Sequence, residues 1–246
     1  MKFGFISRAL KYNGSMEFSA INDEKIIANY QHQFVIDHFI DDFKNKKVLD
    51  AGCWTGPLEK GLIEKKVETN LTGIDENKDA LLVAKNNFSK FKFEECQLMS
   101  ENSTFIKKHL GEFDSVIFLD VIEHLPKNGE TKALKFFQKV LKKSGNIIVS
   151  TMSSHPFNFL DPAWFFGHRH YRLKELKEIF YSSGFEFVEI LRIGNLWWDI
   201  DLLYLYFYKH VLHSKYETSK KMYKRISMGF EKTKFPTRYY IKAKKI

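Results

Sequence analysis

Cysteine is scarce in this chain: Cys53 and Cys96 are the only two among 246 residues. Two thiols suggest neither a disulfide framework nor a zinc site. No apolar run reaches the roughly 20 residues that a membrane span needs. The opening MKFGFISRALKYNGS lacks the continuous apolar stretch of a signal peptide. A cytoplasmic location is expected from these two absences. There is no internal repeat and no low-complexity tract. What remains is an ordinary globular composition, 44% apolar and 28% charged, with an unusual 24 phenylalanines. The length suits one sizeable core with additions.

The net charge of +9 is unevenly placed. From Leu205 to Ile246 there are twelve Lys/Arg and two Asp/Glu, while the rest of the chain is nearly neutral. A general nucleic-acid coating is therefore disfavoured, and a local anionic partner is left open.

Along the chain, apolar residues at three- and four-residue steps predict an amphipathic helix over 21–43. NKKVLDAG then reads as a buried strand, with a helix from Pro57 to Lys65. Strands are expected at 70–76, 91–98, 114–119 and 146–152, and in FEFVEILRIG and TRYYIKAKK. Helices alternate with them, one running through ETKALKFFQKVLKKSG to a stop at Gly145. Such alternation means βαβ units: an α/β, Rossmann-like, doubly wound, seven-stranded and mainly parallel sheet with helices on both faces. The expected organisation is an N-terminal helical cap (1–44), a core (45–194), an aromatic and basic insertion (195–236) and a last core strand (237–246).

In these sheets ligands sit at the carboxyl ends of the strands. VLDAGCWTG (48–56) occupies the first such position, with Gly52 and Gly56 but no third glycine and no following Lys-Ser/Thr. Dinucleotide and phosphate readings are both weak for that reason. Asp75, at the tip of LTGID, can accept both hydroxyls of a ribose. Asp50 adds a carboxylate at the tip of the first strand. The pair suits a ligand with a cationic amino-acid end and no phosphate, a description that S-adenosylmethionine meets.

VLDAGCWTG, GIDEN, FDSVIFLDVIEHL and LKKSGNIIVST, in this order and spacing, resemble the class I S-adenosylmethionine-dependent methyltransferases. The small-molecule branch that includes ubiquinone-biosynthesis-type O-methyltransferases is the nearest in flavour, over about residues 45–192. The resemblance implies that Asp50, Ala51, Gly52, Cys53 and Gly56 face the methionine part of the cofactor. It implies that Asp75 holds the ribose, with Ile74 and Glu76 beside the adenine. Gln97 and Leu98, expected to end the third strand, would border the adenine edge. Asp120, at the end of strand four, would line the cofactor–substrate junction, with Val121, also on the cofactor side, and Glu123 and His124 close by. Two departures stand out: Trp54 replaces the usual middle glycine, and EECQLMS lacks the acid usual near the end of strand three.

Methyl transfer asks mainly for alignment, because the sulfonium is already activated. A hydroxyl acceptor gains from a base, and His155, His168 and His170 are the candidates. The triplet His168-Arg169-His170 makes a weak metal case, and no metal is expected. Segment 195–235 reads as a helical cap packed on the core, a greasy lid over an apolar acceptor, or an interfacial patch on anionic membrane; RNA binding is the least favoured. The expected reaction moves a methyl group to a small, apolar or lipid-like acceptor, preferably at oxygen. An RNA methyltransferase and a non-catalytic membrane- or partner-binding module are the alternatives.

Overall fold

The structure is a computed structural model, and it describes residues 30–100, 103–156, 158, 164, 167–231, 233 and 236–246. It contains seven strands in the order β3-β2-β1-β4-β5-β7-β6. The chain divides into two compact units, one ending at Gln97 and the other beginning at Leu98.

In the first unit, α1 (Tyr30–His38) and a 3-10 turn at Ile40–Asp42 lead into β1 (Lys47–Ala51). The rest of the predicted helix, 21–29, and the first part of the N-terminal cap lie outside the described residues. Then come α2 (Pro57–Glu64), β2 (Asn70–Asp75), α3 (Lys78–Asn87) and β3 (Lys92–Glu95). β1 pairs in parallel with β2, Lys47 opposite Asn70 through Ala51 opposite Ile74, and β2 pairs in parallel with β3. Val48, Leu49, Ala51, Leu71 and Ile74 are buried almost without exposure, as strands covered on both faces require. Asn77 caps α3, its side-chain oxygen accepting from the Asp79 and Ala80 N–H groups at 3.0 Å each. β3 is shorter than the 91–98 predicted, and Gln97 and Leu98 lie beyond its end rather than on it. Cys96 N–H still donates to the Asp75 carbonyl at 3.0 Å, after which pairing with β2 stops.

The second unit contains α4 (Thr104–Lys108), β4 (Phe113–Leu119), a 3-10 turn (Ile122–His124), α5 (Gly129–Val140) and β5 (Leu141–Met152). It continues with α6 (Leu173–Ser182), β6 (Phe185–Ile193), α7 (Leu196–His210), α8 (Lys220–Glu231) and β7 (Arg238–Lys245). β4 and β5 are parallel; β7 runs antiparallel to both β5 and β6. The phenylalanines fill this core: Phe118 meets Phe137 edge-on at 4.9 Å, and Phe105 stacks on Phe136 at 5.9 Å. Helix α5 ends at Val140, not at Gly145 as predicted. Leu141 already has extended geometry, Lys142 pairs with Asp114 at 2.6 Å, and the register of β4 with β5 shifts across 142–145. Gly145 serves close approach instead of capping. A Cβ there would lie 2.8 Å from the Leu141 side chain and 3.1 Å from the Asp114 carbonyl. Among the described residues no helix is long and apolar enough to cross a membrane.

Candidate active site

In the first unit the chain turns immediately after β1. Gly52 and Cys53 N–H both donate to the Ile74 carbonyl, at 2.8 and 3.1 Å, and Gly56 N–H donates to the Cys53 carbonyl at 3.0 Å. Gly52, Trp54 and Gly56 all have left-handed backbone, with φ of 80°, 49° and 92°. At Gly56 glycine is obligatory twice over, since a Cβ would meet the Phe88 ring at 2.6 Å. At Trp54 the conformation costs about 1–2 kcal/mol, and a specific contact holds it. Trp54 N–H donates to Asp75 Oδ2 at 3.0 Å, while Asn77 N–H donates to Oδ1 at 2.9 Å. Trp54, which replaces a glycine of the resembled motif, thus contributes through its backbone. Asp75 ties the first loop to the start of α3 with one oxygen each way, and lone pairs remain on both oxygens. Burial raises its carboxyl pKa, and these backbone donors oppose the rise.

Two more carboxyl groups lie in this region. Asp50 is buried at the tip of β1, its pKa pushed up by desolvation and by the nearby Asp75 charge. Glu59, on α2, is fully buried with no hydrogen-bond partner on either oxygen, and desolvation together with Asp50 raises its pKa. No ion pair among the described residues involves Asp50, Glu59 or Asp75. The Cys53 thiol is pushed well up by burial and then by these same three carboxylates, as befits a side chain set among them. Ala51 is buried and Glu76 exposed beside the turn, while Gln97 is exposed after β3.

The second unit has a polar cluster of its own at the carboxyl ends of β4 and β5. Asp120 has φ of 51°; its N–H donates to Ser150 Oγ at 3.0 Å, and that hydroxyl donates to Asp120 Oδ1 at 2.8 Å. Arg238, the first residue of β7, is buried with its guanidinium 3.7 Å from Asp120 Oδ1 and 4.3 Å from the Trp198 ring. Glu123 is buried as well. Thr151 Oγ1 donates to its Oε2 at 3.2 Å, and Oε1 has no hydrogen-bond partner. Desolvation, then the Asp120 charge, push Glu123 up to about 8, opposed by Arg238 and Thr151. Val121 is half-buried at the entry to the 3-10 turn, and Leu98 is half-buried at the start of the unit.

The histidines separate into two pairs. His155 Nε2 lies 3.6 Å from Asp199 Oδ2, both side chains almost wholly buried, and the His170 ring is 6.3 Å from that of His155. His168 instead meets His124 edge-on at 4.1 Å, and partial desolvation lowers the His124 pKa. Arg169 between them is structural. It pairs with Glu130 and donates to the Ile122 and Leu125 carbonyls at 3.3 and 2.5 Å, clamping the turn after β4 to α5. Tyr171 OH completes the clamp on Ile122 O at 3.1 Å. Among the described residues no group of three or more His, Cys, Asp or Glu is arranged to hold a metal ion.

Sequence reading missed Glu59, Arg238 and Asp199, and named Trp198 only as one aromatic of the cap segment. Glu59 carried a signal, because it sits on the same arc of α2 as the buried Leu58 and Leu62. Asp199 carried one too, as an acid inside the apolar run LWWDIDLL. Arg238 carried none, being one base among twelve in a basic segment.

Residues 42–200 match a family model described as a methyltransferase domain. The chain is 30% identical over 128 residues to the ubiquinone biosynthesis O-methyltransferase of Marinobacter nauticus, covering 50% of this chain and 52% of that protein. It spans about half the length of the curated relatives it matches. The phosphoethanolamine N-methyltransferase 2 of Haemonchus contortus, solved with S-adenosyl-L-methionine, superposes with a TM-score of 0.61 at 17% identity, over 87% of this chain and 52% of that one. The cyclase SpnF also gives 0.61, at 16% identity over 87% and 80% of the two chains. These last two likenesses show the fold.

The first loop fits the cofactor of that family by its own chemistry. S-adenosylmethionine brings an ammonium, a sulfonium and a ribose diol. The loop offers two buried carboxyl groups without a counter-cation and an acid, Asp75, fixed with lone pairs to spare. Lacking a P-loop lysine and a third glycine, it offers little to a phosphate. The chain belongs to the class I S-adenosylmethionine-dependent methyltransferases, and S-adenosylmethionine is its cofactor.

Proposed function

We propose that the protein moves a methyl group from S-adenosylmethionine to an oxygen of a small, apolar acceptor. The observation that carries this reading is the buried His155–Asp199 pair, where a carboxylate 3.6 Å from Nε2 stabilises the imidazolium formed on taking a hydroxyl proton. Oxygen is the atom named in the Marinobacter relative, and that supports the choice. The bound cofactor supplies a methyl group already activated by its sulfonium. Asp75 accepts from the ribose hydroxyls, Asp50 receives the ammonium, and Ala51, Gly52, Cys53 and Gly56 present backbone to the methionine part. Glu76, Gln97 and Leu98 border the adenine, and Asp120 and Val121 stand at the acceptor junction. His155 is the base, with His170 near it; His168, paired with His124, serves the loop. The division into a core at 45–194 and an insertion at 195–236 is part of the same proposal.

Transfer of labelled methyl to a panel of phenols and catechols, with RNA in parallel, tests the reading. Label is expected in an apolar hydroxyl compound. His155→Ala should lower kcat by about 10²–10⁴ and leave cofactor affinity within twofold. Label in RNA, or in no acceptor, overturns the reading.

The basic segment extends the proposal to peripheral contact with anionic membrane. α7 exposes Trp197, Tyr204 and Phe207, and α8 carries Lys220, Lys221, Lys224 and Arg225. Cosedimentation with vesicles rich in anionic lipid, weakening as salt rises and absent with neutral vesicles, is the expected result.

A further inference from the structure

We propose that Glu59 and Asp50 act together as a proton-releasing receptor for the cationic methionine end of the cofactor. The inference rests on the cofactor assignment above and adds to it a residue, Glu59, and a linked proton. Glu59 is fully buried, and neither of its oxygens has a hydrogen-bond partner. Its Oε2 lies 3.5 Å from the place a Cβ on Gly56 would take, so the carboxyl group turns back toward the glycine loop. Asp50 reaches the same region from β1, and Cys53 feels Glu59, Asp50 and Asp75 together.

The groups around Glu59 give it no counter-charge. β1 brings Asp50, β2 brings Asp75 and the loop brings Cys53. α1, which packs against α2, carries Tyr30, His32, Asp37 and His38. Asp37 is engaged by Lys65 at 2.8 Å, and His38 stacks on Phe34. On α2 itself Lys60 pairs with Glu64. A buried carboxyl group in such surroundings avoids charge by keeping its proton. An arriving ammonium or sulfonium reverses that preference. The carboxylic O–H ionises, its proton leaves to solvent, and the carboxylate pairs with the cation through charge-assisted contacts. A metal ion is the alternative cation, but among the described residues no ligand set for one is assembled.

Isothermal titration of S-adenosylmethionine into the full chain, in two buffers of different ionisation enthalpy, reads the linked proton directly. At pH 7 the wild type is expected to release a substantial fraction of a proton per cofactor bound. Between pH 6 and 7 affinity should rise by up to about tenfold, the limit for one linked proton. Glu59→Gln is expected to bind with the release clearly reduced, the remainder coming from Asp50, and Glu59→Asp to restore it. Should Glu59→Gln fail to fold, the wild-type measurement decides alone, because the released proton is read on the unaltered chain. Tight binding with no buffer dependence and no pH dependence overturns the proposal and leaves the cofactor assignment standing. Absence of binding by the wild type at every pH overturns the assignment itself.

Discussion

Asp75→Ala is expected to weaken S-adenosylmethionine binding by at least about 100-fold in equilibrium titration. Two effects combine in that number. The proposed bonds from the ribose hydroxyls to a carboxylate are worth about 1.5–3 kcal/mol each, and one of them alone accounts for roughly 10- to 150-fold. The second effect is conformational. Asp75 holds Trp54 N–H and Asn77 N–H, so its removal frees a tryptophan kept in left-handed backbone and unties the start of α3. Asp75→Asn keeps one side-chain oxygen in place and is expected to lose less. Unchanged affinity in Asp75→Ala would remove the ribose assignment, whatever the loop does.

The largest stability effect is expected at Arg238. Its guanidinium stands among Asp120, Glu123 and Asp199 with almost no solvent, stacked on Trp198. Arg238→Met leaves those acids without their cation, and removing one member of a buried charge set costs about 3–5 kcal/mol. The pH dependence has a definite sign. Burial raises Glu123 to about 8 in the folded protein, so its neutral form is favoured below that value. Its contribution is complete below the ordinary carboxylate range and is lost as pH rises through about 8. Arg238 opposes that rise. Without it Glu123 resists ionising further, so the variant should lose more stability at pH 9 than at pH 6 by chemical denaturation. Adding Glu123→Gln to Arg238→Met is expected to return part of the loss at pH 9. Equal losses at both pH values would mean that Arg238 acts through Asp120, Asp199 and its packing on Trp198, and not through Glu123.

The parts of the molecule legible in the sequence are those written locally. The tip acids Asp50 and Asp75 could be read because each follows a short apolar run and precedes a turn, and that order is a property of neighbouring residues. Gly145 misled for the same reason: a glycine after a helical pattern has the composition of a stop, while its actual duty depends on Asp114, far away in sequence. β3 came out short because FKFEECQL keeps strand-like composition past the point where β2 ceases to pair with it. His155 was one of three histidines with equal standing. Only Asp199, brought by a helix after β6, separates it from His168 and His170. Glu59 could be placed on the buried arc of α2, but its lack of any partner is a fact of three dimensions.

The antiparallel strand has a consequence for biosynthesis. β6 stands at the edge of the sheet and pairs with β7, which the ribosome delivers only after α7 and α8 have been made. Until then β5 and β6 both present unpaired backbone, and Arg238 has not yet arrived to pair with Asp120. The C-terminal unit therefore cannot mature in the order it is translated; its sheet and its polar centre close together, late, and a nascent chain halted before Arg238 would expose strand edges that favour association with other chains.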